Sequence, residues 1–447
     1  MSRQARTPAE IVLEEVHNWL ELSDDLLPIV VLTSVVANWL SGEQPIWTMI
    51  VAPPSSGKTA LIEAVEEIHG VQALGKLTAR TFVSGLAGDD YSLLVRMEQE
   101  RKWLMTHKDW GTVMSLNPNE RNEVLSQLRQ IYDGKFNADY GTGVSISWRG
   151  KLGFLVGATP AVDRLQKWST ELGERFIQFR PTAPDKHRVT IQAALNKGRE
   201  KEMRRALESA YIRAFVHAKN IAKTRPAHAP EGDLVAGALG AFVATARTSV
   251  HRDRYTNGFE VAEPEGPARL TGVFTQFYRA ASIIFGGDHE TATALVVRVG
   301  IDSITPGMRR KLLTRLAGSK WGLSTEGLGR SLGCDDNTAR THLEDLVALG
   351  LATKTKPAKK TIYAASPLLG DLASQVYLDE FTPEEALQKL SQLHANYIHE
   401  GEEKEEKKED RPTSPQLVGR WESFPLKELE ACNCDPDIIP WSNDPWD

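Results

Sequence analysis

Cysteine is nearly missing from this chain: Cys334, Cys432 and Cys434 are the only three in 447 residues. A disulfide framework is excluded, and no Cys/His quartet has the spacing of a zinc site. Long hydrophobic runs are missing too. The most apolar one, Leu26 to Leu40, contains Thr33, Ser34 and Asn38 and is short for a membrane span. There is no basic excess: 53 Lys and Arg stand against 59 Asp and Glu, a formal net charge of -6. A nucleic-acid partner would have to be met by local basic patches. The N-terminus, Met-Ser-Arg-Gln-Ala-Arg-Thr, shows no signal peptide, so a reduced, cytoplasmic setting is expected. The remainder is ordinary globular composition, 41% hydrophobic and 25% charged, with length for two or three domains.

One stretch organises the rest. Ile46 to Val51 is an apolar run, Ala52-Pro53-Pro54-Ser55-Ser56-Gly57 is a loop, and Lys58-Thr59-Ala60-Leu61-Ile62 opens a helix. Strand, glycine-containing loop and helix N-terminus is the setting of a phosphate-binding loop. Its backbone N–H groups offer positive partial charge to a triphosphate. Lys58 would reach the β/γ-phosphates of ATP and Thr59 would hold Mg²⁺. The usual first glycine is absent, and Ala52 stands in its place.

Helical periodicity covers 8–21, and a second helix follows the Ser23-Asp24-Asp25 caps to about Leu40. The helix after the loop is expected over about 58–69, and 77–87 looks β-rich. Trp103 to Asp109 is a short apolar strand ending in an acid. Trp110 stands where a water-activating Glu would follow. Two registers are open. Asp109 is the metal-side acid, or Lys108 replaces that acid and Asp109 activates the water. A plain cap on the next turn is the bland alternative. Residues 118–132 read as a helix, and 135–149 as a β-hairpin with Gly141 and Gly143 in its turn. Lys151 to Ala158 is a buried strand ending at Thr159. Leu172 to Pro181 gives a further strand with Arg175 at its head, unless Arg175 merely caps a strand or pairs with Glu171 or Glu174 on the surface. Residues 186–300 are mostly helical, with a long basic amphipathic stretch over 188–223 and a loop over 251–267.

Taken in order, these parts resemble AAA+ ATPases. More narrowly, they resemble the branch with a hairpin before the third key strand, as in minichromosome maintenance and superfamily 3 helicases. The resemblance covers about 25–300. It implies an α/β fold with a parallel-sheet core (25–185) after an N-terminal helix (1–24), then a helical lid (186–302). It implies ATP held by Pro53, Pro54, Ser55, Ser56, Gly57, Lys58, Thr59 and Ala60, with Mg²⁺ on Thr59 and Asp109. Asp109, Thr159 and Arg175 would be catalytic, with Thr159 sensing the terminal phosphate and Arg175 acting across a subunit interface. Arg269, in Ala268-Arg269-Leu270, would be a second sensor on the nucleotide. The hairpin, with Lys135, would line a DNA pore in a homo-oligomeric, hexameric ring.

Residues 303–366 look like a winged helix-turn-helix. Asn337, Thr338, Arg340 and Thr341 fall early on its second helix, which in such domains enters the major groove. Lys354, Lys356, Lys359 and Lys360 would meet phosphates from the wing. Such domains also serve as protein-interaction modules. A helical extension (367–399) leads to a charged linker and a partly disordered, acidic, aromatic tail (400–447) suited to a protein partner. The leading expectation is a helicase-like replication motor of a phage or mobile element. An ATP-gated DNA-binding regulator or helicase loader with slow hydrolysis is the alternative, and a defence-system signalling ATPase the third.

Overall fold

A computed structural model describes residues 6–366, except 23, 41, 43, 83–91, 140–144, 164–174, 183–184, 225–229, 253–257, 306, 318, 320–321 and 357–359. The expected helical extension, linker and tail lie outside the described residues, as do Lys359 and the tip of the 135–149 hairpin.

Helix α1 (Pro8–Trp19) opens on a capping box. Thr7 accepts from the Glu10 N–H, and the Glu10 side chain accepts from the Thr7 N–H. Its His17 ring meets Asp25 at 2.8 Å, just before α2 (Leu26–Trp39). That hydrogen bond holds the His17 pKa above its ordinary value. The stability it adds is fully present below the unfolded-state pKa and is lost as pH rises through the folded one. We therefore expect the melting-temperature gap between wild type and His17→Ala to be widest near about pH 5.5 and to close by about pH 8.5. A gap independent of pH would contradict this.

Helix α2 is apolar on nearly all sides and buried along most of its length. Its polar groups are satisfied internally. Thr33 and Ser34 donate back to Ile29 O and Val30 O, and Ser34 also reaches Thr48. Asn38 bonds both N–H and C=O of Ile46, so the chain enters the sheet at a fixed register. A buried helix, and not a membrane span, explains the apolar run. Among the described residues no helix is long and apolar enough to cross a membrane.

The sheet has five parallel strands: β1 (Trp47–Val51), β2 (Val71–Ala73), β3 (Leu104–His107), β6 (Gly153–Ala158) and β7 (Phe176–Phe179). Their order is β2-β3-β6-β1-β7. Both faces are covered, which is why β1 and β6 read as unbroken apolar runs. One face carries Ile50 with α2 and α3 (Lys58–Glu63). The other carries Trp47, Met49 and Val51 with α4 (Leu93–Gln99), α5 (Trp110–Met114) and α6 (Pro118–Tyr132). Helix α3 ends at Glu63, short of the expected 69. Of the expected β-rich segment at 77–87, residues 77–82 form turns tied by Thr78 and Thr81, and 83–87 lie outside the described residues.

Strands β4 (Lys135–Asp139) and β5 (Ser145–Arg149) make the expected hairpin. Phe136 and Trp148 bury against the Trp47 face, so its root is welded to the core while Lys135 and Arg149 pair on the exposed side.

The helical region comprises α7 (Lys186–Leu195), α8 (Glu200–Thr224), α9 (Pro230–Arg247), α10 (Pro267–Ile284) and α11 (His289–Asp302). The long basic amphipathic stretch at 188–223 is shared between α7 and α8, separated at Gly198, whose φ is 85°. The expected 251–267 loop contains paired strands β8 (Val250–Arg252) and β9 (Phe259–Val261). Last come α12 (Gly307–Ala317), α13 (Thr325–Leu332) and α14 (Asp336–Ala348) with a small antiparallel sheet. Its strands β10 (Leu323–Ser324), β11 (Ala352–Thr355) and β12 (Ile362–Ala365) are ordered β10-β12-β11.

Candidate functional site

Parallel strands bring their carboxyl ends to one edge, and there the loop after β1 meets the residues after β3 and β6. The Ala52 N–H donates to Ala158 O at 3.0 Å, extending the β1–β6 pairing into the loop. Ser55 and Gly57 both have positive φ, 62° and 79°, the left-handed backbone that anion-binding turns use. A Cβ at Gly57 would come within 2.8 Å of Leu22 Cδ2, which a shift of that side chain could relieve, so the positive φ is what favours glycine here. Lys58 is 8% exposed and its Nζ donates to Pro53 O at 3.2 Å, arching over the loop. Ser56 is buried with its Oγ unpartnered. An orphaned hydroxyl, a nest of backbone N–H groups and a buried ammonium fit a polyphosphate. Burial pushes the Lys58 pKa down, and Asp109 opposes that shift. Pro54, Thr59 and Asp109 are exposed, while Pro53, Ala60 and Thr159 are half-buried.

Alternation along β3 separates Lys108 from Asp109. Thr106 and Lys108 face α3, where Lys108 Nζ lies 2.8 Å from Glu63 and 3.9 Å from Glu66. Glu63 is one turn beyond Thr59 on α3, so Lys108 stands toward the helix face expected to hold the metal. Asp109 faces the other way, caps α5 by accepting from the Gly111 N–H at 2.9 Å, and supplies the charge felt by Lys58. The capping role and the electrostatic role coexist. Among the described residues there is no group of three or more His, Cys, Asp or Glu able to hold a metal alone. A Mg²⁺ ion here would need phosphate oxygens as well as Thr59 and Asp109.

Arg175 lies at the opposite edge of the sheet. It precedes β7, whose first residue pairs with Trp47 at the start of β1. The five residues of β1 separate that edge from the loop by about 15 Å. Arg175 donates to both oxygens of Asp133 at 3.0 and 3.2 Å and sits over the Tyr132 ring. Arg269 is with it, and not beside Lys58. Its guanidinium lies 6.0 Å from the same ring and is bonded to Glu265. Arg269 is expected on the nucleotide, and within its own chain it stands with Arg175. Arg247, at the end of α9, fixes the arrangement: it donates to Phe176 O and Ser303 O and lies 3.6 Å from Glu265. Tyr132, Glu265 and Arg247 were not singled out in the sequence, which gives no sign that they meet.

At the carboxyl end of β7 a different arginine from the helical region comes near. Arg298 of α11 donates to Arg180 O, Asp24 and Asp302, and Arg180 pairs with Asp163. This buried network joins α11, the N-terminal segment and β7 next to the strand that feeds the loop.

In the C-terminal unit, Asn337, Arg340 and Thr341 are exposed on the first turns of α14. The Thr338 hydroxyl is already used on Asp335, which caps the helix. Arg340 reaches Asn337 at 3.3 Å. The Thr341 carbonyl accepts from Arg252 of β8, which also pairs with Asp345. Lys354, expected at a phosphate, pairs with Glu344 of α14. Lys356 and Lys360 are exposed.

No family model matches this chain, and no curated protein matches it.

Proposed function

We propose that this chain is an AAA+-type ATPase whose catalytic sites are shared between neighbouring copies and whose C-terminal unit, a winged helix-turn-helix, contacts DNA. The observation that carries the reading is the separation of two half-sites. Lys58, Ser56, Thr59, Asp109 and Thr159 gather at one edge of the sheet, and Arg175 stands at the other, too far to serve its own loop. The order β2-β3-β6-β1-β7, with the hairpin inserted before β6, supports the AAA+ assignment. Lys58 would pair with the β/γ-phosphates, Thr59 and Asp109 would hold Mg²⁺, and Thr159 would contact the terminal phosphate. Arg175 of the next copy would neutralise charge developing on it. Bound ATP supplies the phosphoryl group whose transfer to water drives the cycle. A ring, hexameric in the reading preferred here, would present the β4–β5 hairpin and its Lys135 to DNA in a central pore.

A second reading is favoured by Lys108. A lysine turned toward the metal-side face of α3 opposes a divalent cation, and Trp110 takes the place of a water-activating Glu. Both slow hydrolysis, as suits an ATP-gated DNA-binding regulator or loader. Strand displacement on forked DNA separates the two. A helicase-like motor gives DNA-stimulated ATPase together with unwinding in one polarity. DNA-stimulated ATPase with no unwinding in either polarity would leave the regulator.

A further inference from the structure

Three segments distant in sequence meet on the ring of Tyr132, the last residue of α6. The ring packs edge-on against Trp47, with centroids 5.1 Å apart. Arg175 lies 5.3 Å from its centroid and Arg269 lies 6.0 Å. Two guanidiniums held at one ring carry like charge and repel each other. Three groups offset that repulsion: the electron-rich ring, Asp133 on Arg175 and Glu265 on Arg269. Burial holds the Tyr132 phenol up, so the platform itself is neutral. Ring contact orients a guanidinium without using up its N–H donors. Asp133 is 57% exposed, so the Arg175 ion pair opens onto the surface, and its carboxylate can be exchanged for an arriving phosphate.

Resting on the reading that Arg175 serves a neighbouring copy, we infer that Tyr132 is a positioning residue. It holds Arg175 and Arg269 as a two-guanidinium clamp for the terminal phosphate of a nucleoside triphosphate bound to the next copy. The aromatic ring carries this role, and the hydroxyl is dispensable.

The test is steady-state ATPase of full-length Tyr132→Phe, Tyr132→Leu and Arg175→Ala with Mg²⁺, each alone and mixed with Lys58→Ala. Tyr132→Phe should keep the wild-type kcat. Tyr132→Leu should lose about a hundredfold in kcat, the usual cost of a misplaced catalytic group, with KM for ATP little changed. Mixing it with Lys58→Ala should restore turnover, because the partner then supplies an intact arginine edge to a sound phosphate loop. A merely misfolded subunit would not be rescued. Since the ring also packs on Trp47, Tyr132→Met, whose longer and more flexible side chain can fill irregular space there, is run beside it with the same expectation. Wild-type kcat in both the Leu and Met variants, an equal loss in Tyr132→Phe, or no recovery on mixing would overturn the inference. Wild-type turnover by Arg175→Ala would instead overturn the reading beneath it.

Discussion

Lys58→Ala is expected to remove ATP turnover, with a loss on the order of 10²–10³ or more and a matching loss of ATP affinity. The ammonium is the only side-chain cation on the loop itself, and its hydrogen bond to Pro53 O holds it over the loop that contains the Ser55 and Gly57 turns. Removing it should not weaken the fold. Burial already disfavours the charged form, so the apo protein holds Lys58 at a cost that only an anion can offset. The variant should therefore melt at the wild-type temperature or slightly above. Isothermal titration with a non-hydrolysable ATP analogue, set beside thermal melts, checks both halves. A variant that binds the analogue as tightly as wild type would contradict the assignment of the loop.

Arg175→Ala is expected to lower kcat by about 10³ or more while leaving ATP affinity near the wild-type value. The split follows from the two edges. Arg175 lies far from its own loop and contributes nothing to binding there. What it would contribute is neutralisation of charge that grows on the neighbour's phosphate during transfer. Stability should fall as well, since Arg175, whose side chain is 13% exposed, gives up its packing on Tyr132 along with the Asp133 ion pair. Single-turnover kinetics at saturating ATP give the chemical step directly. An Arg175→Ala protein with lowered affinity and unchanged kcat would place the residue in ground-state binding.

Much of the core was legible because short-range signals agreed there. The apolar run to Val51, the Ser-Gly-Lys-Thr loop and the amphipathic start of α3 each name the same strand–loop–helix unit. Residues 118–132 and 135–149 carried clean periodicities of 3.6 and 2 and became α6 and the β4–β5 hairpin. The misses have local causes. Strand β2 is three residues at a sheet edge, too short for any period to show. The β8–β9 pair is three residues a side with charged residues among them, so only Asn257-Gly258 carries a hairpin signal there. Gly198 marked a helix break that the charge pattern of 188–223 concealed.

The site divides in the same way. Lys58, Thr59, Asp109 and Thr159 follow elements whose direction in a parallel sheet is fixed, so their common edge could be foreseen. Arg269 could not be placed, because the edge that receives the first turn of α10 depends on Glu265, Arg247 and Tyr132. The contact of Arg269 with Tyr132 spans more than a hundred residues and leaves no periodic trace.

The central claim is that one copy lends an arginine to the phosphate loop of the next, and mixing inactive subunits tests it most directly. Arg175→Ala and Lys58→Ala, each inactive alone, should regain activity when combined in equal amounts. With random assembly of head-to-tail interfaces, about a quarter of the sites would pair an intact loop with an intact arginine edge. The predicted result is turnover approaching that fraction of wild type. Turnover no greater than the sum of the two variants alone, in a mixture shown to co-assemble, would contradict the account.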